Sequence, residues 1–77
     1  MGAQLPVLKP RKILRALLRA GFYVHHQSGS HAQLRHPAKP HLHVTVPRHD
    51  RFDIPRPVLR SILQQAELTV EEFLKLL

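Results

Sequence analysis

The chain has 77 residues, enough for one small domain but not for two. It contains no cysteine, which excludes disulfide bonds, zinc-thiolate sites and a thiol nucleophile. Twelve lysines and arginines against five acidic residues give a formal net charge of +7, and this imbalance indicates a nucleic-acid partner. The sequence shows neither a signal-peptide pattern nor an apolar run of membrane length. We therefore expect a single domain over residues 1–77, located in the cytoplasm and without membrane contact.

The first predicted element is a helix that begins near Pro10 and ends before Gly21, after a loose start over residues 1–8. Proline is favoured in the first turn of a helix and glycine just beyond the last. The apolar face has helical spacing and consists of Ile13, Leu14, Leu17 and Leu18. The opposite face contains no acid and consists of Arg11, Lys12, Arg15 and Arg19. This basic face predicts either an ordinary solvated surface or a stripe that binds RNA phosphates.

Three short strands are predicted next, because apolar and polar residues alternate. Their ranges are residues 22–27, 31–35 and 41–46. Ser28, Gly29 and Ser30 form the turn between the first two strands, since glycine readily adopts a positive φ. Pro37 and Pro40 break the second strand over residues 36–40, since proline cannot continue a ladder of hydrogen bonds.

Two further helices complete the predicted order α-β-β-β-α-α. Pro55 and Pro57 mark the start of the second helix, and residues 69–72 match a capping box at the start of the third. Short connections favour an antiparallel sheet, and one apolar face on each strand predicts that the helices cover one side only. The expected fold class is therefore α+β. If the register is correct, the uncovered face carries His25, Gln27, His31, Gln33, Arg35, His41, His43 and Thr45.

An open polar face with several imidazoles, on a cationic domain, suits metal-independent cleavage of RNA. The 2′-hydroxyl of the RNA is the nucleophile, so the protein must move protons and balance charge on the phosphate. Imidazole can move protons near neutral pH, and arginine can balance the charge. Two-metal catalysis needs more carboxylates, and a zinc site at His41 and His43 would lack an acidic general base. A Ser-His-Asp arrangement would lack its strand-turn-helix context.

Several stretches of the sequence, taken in order, resemble HicA-type (formerly YcfA-like) toxins. They are LLRAGF at residues 17–22, SGSH at 28–31, VTVPRH at 44–49, LRSILQQA at 59–66 and LTVEEF at 68–73. The resemblance implies a double-stranded-RNA-binding-domain-like fold and cleavage of mRNA by a single histidine, which corresponds to His31. It also implies a HicB-type antitoxin that covers the active face. Family members commonly carry glycine where this chain has Glu67, which puts the stop of the second helix in question.

We therefore expect an endoribonuclease toxin in which His31 acts as general acid or base beside the turn Ser28-Gly29-Ser30. His43 is a possible second proton-transfer group if its strand lies beside that of His31. The expected phosphate contacts are Lys12, Arg15, Arg19, Arg35 and Arg48. No metal or other cofactor is expected. The alternatives are a non-catalytic RNA-binding module, because this kind of fold often binds RNA by shape alone, and a small basic subunit of a larger assembly.

Overall fold

A computed structural model describes residues 4–77 as three helices and a three-stranded sheet. The elements are α1 (Pro10–Arg19), β1 (Tyr23–Ser28), β2 (His31–His36), β3 (Lys39–Pro47), α2 (Arg56–Ala66) and α3 (Val70–Leu74). The strands are antiparallel and lie in the order β1-β2-β3. The predicted α+β class and its double-stranded-RNA-binding-domain-like order are confirmed.

The core lies between the helices and one face of the sheet. Buried and exposed residues alternate along β2 and β3, as the period of a half-covered sheet requires. The buried strand residues are Ala32, Leu34, Leu42, Val44 and Val46. The helices contribute Ile13, Leu14, Ala16, Leu17, Leu59, Ile62, Leu63, Ala66 and Phe73. Each large side chain among them stabilises the fold by about 1.5–3 kcal/mol relative to an exposed position.

The ends of the helices follow their local sequence. Pro10 is the first residue of α1, and Gly21 follows that helix with a φ of +99°. Glu67 adopts the left-handed conformation at the end of α2, with a φ of 55°, so this helix stops without glycine. The predicted capping box of α3 is present: Thr69 and Glu72 exchange side-chain to backbone hydrogen bonds of 2.8 and 3.0 Å.

The sequence predicts a loose start over residues 1–8, of which residues 1–3 lie outside the described part of the chain. The described residues of this segment differ from that prediction. Leu5 is 1% exposed, and its carbonyl oxygen accepts a 2.7 Å hydrogen bond from Nε of Arg56. Leu8 forms an antiparallel bridge with Ile54. The predicted apolar face of α1 needs one correction as well, because Leu18 is 50% exposed. Long-range contacts thus bring the N-terminal segment into the core.

The connection between β2 and β3 is shorter than the predicted break over residues 36–40. Strand β2 continues to His36 and β3 begins at Lys39, so Pro37 and Ala38 alone connect them. Pro40 lies within β3, which is an edge strand of the sheet. The register also shifts between Leu34 and His36, and proline is tolerated at such irregular edge positions.

Candidate active site

The turn between β1 and β2 is a two-residue loop. Gly29 has a φ of +56°, whereas Ser30 does not have a positive φ, which is the pattern of a type II′ hairpin turn. Ser28, predicted as part of the turn, is the last residue of β1. The backbone N–H of Arg48 donates a hydrogen bond to the carbonyl oxygen of Ser30. The end of β3 therefore holds the turn in place.

His31 is the first residue of β2, and its side chain is exposed. Its cross-strand partners are Ser28 on β1 and Pro47 on β3. Its neighbour Ala32 is fully buried against the helices, so His31 projects from the uncovered face of the sheet. The structure thus places an accessible imidazole beside a fixed turn.

His43 does not lie beside His31, although β2 and β3 are neighbouring strands. Val44 pairs with Leu34, and Pro47 pairs with His31. His43 lies four residues before Pro47, a distance of about 13 Å along the strand. The register therefore separates the two imidazoles by most of the length of the hairpin, and it gives no support to His43 as the second proton-transfer group.

A β-bulge in β1 changes which of its residues lie on the uncovered face. Val24 pairs with Leu34 and His26 pairs with Gln33, which leaves His25 as the extra residue. Directly paired residues share a face, so His26 lies on the uncovered face and Gln27 does not. The prediction that Gln27 faces outward is wrong for this reason, whereas His25 has no direct partner that assigns it to a face.

His26 is the imidazole that the bulge brings towards His31. It lies two residues before Ser28, the direct partner of His31, and so occupies a diagonal position across the strands. Diagonal neighbours in an antiparallel pair lie about 7–8 Å apart, within reach of long side chains. Sequence reasoning missed His26, since simple alternation assigned it to the covered face.

Arg48 is partly buried behind the turn, and its side chain contacts β1 and the loop that follows β3. Its Nη1 donates to Oε1 of Gln27 at 3.3 Å, and its Nη2 contacts Oδ2 of Asp50 at 3.4 Å. Its Nε is buried and has no hydrogen-bond partner among the described residues. Arg48 thus supports the turn and places a partly exposed guanidinium group beside it.

The other predicted phosphate ligands lie apart from His31. Arg35 pairs with Tyr23 at the opposite end of the hairpin, about 13 Å from His31 along β2. Lys12, Arg15 and Arg19 line a cavity of about 100 Å³ on α1, on the helical side of the sheet. The structure therefore gathers these three cations in one place, but not on the face that carries His31.

Two further observations bear on possible ligands. Across residues 4–77, no three histidine or acidic side chains lie close enough together to hold a metal ion. No helix in this part of the chain is both long and apolar enough to cross a membrane. Metal-independent chemistry and the lack of a cofactor stay predictions.

The fold and the exposed histidine at the turn define a small basic α+β protein with the layout of a double-stranded-RNA-binding domain. A family model described as the HicA toxin of bacterial toxin-antitoxin systems matches residues 10–68, from the start of α1 to just beyond α2. The chain belongs to the HicA toxin family. It is thus the toxin component of a toxin–antitoxin pair, and it has a cognate antitoxin as partner. No curated protein matches the chain.

Proposed function

We propose that this toxin is an endoribonuclease that cleaves mRNA in the cytoplasm without a metal ion, with His31 as general acid or base. The observation that carries the proposal is the position of His31, exposed on the uncovered face at the first residue of β2. Membership of the HicA toxin family supports a ribonuclease activity. A HicB-type antitoxin would act by covering this face.

The proposed reaction needs two proton transfers. The 2′-oxygen attacks phosphorus as its proton leaves, and the bond to the 5′-oxygen breaks as that oxygen receives a proton. The products are a 2′,3′-cyclic phosphate and a 5′-hydroxyl. His31 performs one transfer and His26, its diagonal neighbour on β1, performs the other. Arg48 supports the turn rather than the phosphate in this proposal, because its guanidinium group contacts Gln27, which does not lie on the face of His31.

The remaining cations extend the RNA-binding surface in this proposal. Arg35 contacts the backbone farther along the hairpin, and the group Lys12, Arg15 and Arg19 binds a more distant part of the RNA. Such contacts raise affinity without selecting a sequence, because they recognise phosphates.

The test compares three purified variants on a labelled single-stranded RNA, in the presence of EDTA. His31→Ala should abolish cleavage, and His26→Gln should slow it by about 10²–10⁴-fold, the usual contribution of a general acid or base. His25→Gln is the matched control, because His25 is the bulged neighbour of His26, and it should cleave at the wild-type rate. Wild-type cleavage by His31→Ala, or inhibition of the wild type by EDTA, would contradict the proposal.

A non-catalytic RNA-binding module is the second candidate. It is favoured by the cluster of Lys12, Arg15 and Arg19, which lies on the helical side of the sheet and would bind phosphates without any help from His31. A gel shift without cleavage by the wild-type protein would support this candidate. Cleavage that depends on His31 would exclude it.

A further inference from the structure

An open apolar cleft of about 330 Å³ lies at the end of β3. Its walls include Pro47 of β3, His49 and Phe52 of the following loop, and Val58 of α2. Phe52 is 65% exposed, more than any other large hydrophobic side chain among residues 4–77. Exposure of an aromatic ring beside an apolar cleft is unfavourable in water and indicates a ligand surface.

The cleft begins next to the candidate active site. Pro47, which forms one wall, is the direct cross-strand partner of His31. Paired residues in an antiparallel sheet have Cα atoms about 4.5–5.5 Å apart. A nucleotide whose phosphate contacts His31 can therefore place its base in the cleft.

The loop that forms the cleft is held by backbone hydrogen bonds. The N–H of Phe52 donates to the carbonyl oxygen of His49 at 2.9 Å, and the N–H of Ile54 donates to that of Leu8 at 2.8 Å. These bonds fix both ends of the segment that carries Phe52. A preformed cleft binds its ligand at a smaller cost in conformational entropy.

We propose that this cleft binds an RNA base next to the cleaved bond, and so contributes to the selection of the cleavage site. The inference rests on the proposed ribonuclease function. Single-stranded RNA is recognised largely by stacking of unpaired bases on aromatic rings, and Phe52 and His49 supply two rings in one cleft.

The charges around the cleft also favour RNA. The acids nearby are neutralised, because Asp53 contacts Nζ of Lys9 at 3.2 Å and Asp50 contacts Arg48. Arg51 and Arg56 add further positive charge in the segment that forms the cleft. This segment therefore attracts a phosphate backbone, while the apolar walls of the cleft accept a ring face.

The experiment compares intact RNA with RNA that carries one abasic nucleotide. This nucleotide precedes the cleaved bond in one substrate and follows it in another. Phe52→Ala should lower kcat/KM on intact RNA by about 5- to 150-fold, the range expected for loss of one stacked base. The abasic nucleotide should lower wild-type cleavage by a similar factor and should not slow Phe52→Ala further. Phe52→Trp should retain activity. Leu18→Ala is the matched control, since Leu18 is also half exposed but lies outside the cleft.

A non-cleavable RNA with 2′-O-methyl groups provides a second measurement that does not depend on catalysis. Its affinity, measured by fluorescence anisotropy, should fall in Phe52→Ala and stay unchanged in Leu18→Ala. Equal losses for wild type and Phe52→Ala on the abasic substrate would overturn the inference. So would a Phe52→Ala variant that binds and cleaves RNA normally but loses affinity for the antitoxin. If His31→Ala cleaves normally, the proposed function fails instead, and the anisotropy measurement still decides the role of the cleft.

Discussion

His36 clamps the β2–β3 connection to the end of α1, and its replacement by alanine should destabilise the protein. Its Nδ1 accepts a 3.1 Å hydrogen bond from the N–H of Ala38. The proton therefore lies on Nε2, which donates at 3.0 Å to the carbonyl oxygen of Ala20. The ring also packs edge-to-face on Phe22, with centroids 5.0 Å apart and an interplanar angle of 87°. One imidazole thus connects three parts of the fold.

The expected magnitude follows from these three contacts. Each hydrogen bond contributes about 1 kcal/mol net, and an edge-to-face aromatic pair adds about 0.5–1.5 kcal/mol. His36→Ala should therefore lower the free energy of unfolding by about 2.5–3.5 kcal/mol. For a domain of this size that loss lowers the Tm by roughly 10–28 °C.

Urea denaturation followed by circular dichroism measures this loss directly. The matched control is His41→Ala, because His41 is exposed and its side chain contacts the carboxylate of Glu67 at 3.5 Å. It should change the free energy of unfolding by less than about 0.5 kcal/mol. A His36→Ala variant as stable as His41→Ala would refute the clamp. RNA cleavage per folded molecule should be the same in both variants.

Two further predictions concern the ends of helices. Gly21→Ala should lower the free energy of unfolding by about 2–4 kcal/mol, because the residue has a φ of +99° and a new Cβ would lie 2.6 Å from Nε2 of His36. In a His36→Ala background this loss of stability should be smaller. An equal loss in both backgrounds would show that the clash is unimportant. The pKa of Glu72 is lowered from its ordinary value of 4.5, first by the backbone N–H and then by the hydroxyl of Thr69. The carboxylate therefore stabilises the fold above that ordinary value, and this contribution is lost as the pH falls through the lowered pKa. The difference in Tm between wild type and Glu72→Gln should shrink on acidification, and a difference that stays constant from neutral to acidic pH would contradict the role of the charge.

The sequence predicts the fold best where one face of an element is buried. Alternation located β2 and β3 because their inward residues, such as Leu34 and Val44, pack against helices. It failed in β1, where all six residues are exposed and the bulge at His25 interrupts the period. A run of polar residues places little constraint on register, so nothing local indicated that His26 would face outward.

The candidate site was predictable in part for a similar reason. Turn chemistry located Gly29 and therefore His31, since a two-residue hairpin loop is encoded locally. The displacement of His43 depends on how β3 aligns with β2, which is a property of the whole ladder. Phe52 gave no signal in the sequence, because a single aromatic residue has no spacing pattern, and only the structure shows that it lies in an apolar cleft.

The seven histidines divide according to what surrounds them, and this division decides how variants can be interpreted. His36 is tied to the fold through two hydrogen bonds and an aromatic contact. His31 and His26 lie at the end of the sheet where β1 is exposed along its whole length, and backbone hydrogen bonds of the turn position them. Few buried contacts depend on their side chains, so their substitution removes little folding free energy. Loss of toxicity in His31→Ala with unchanged stability would therefore report on chemistry, whereas the same loss in His36→Ala would report on the amount of folded protein.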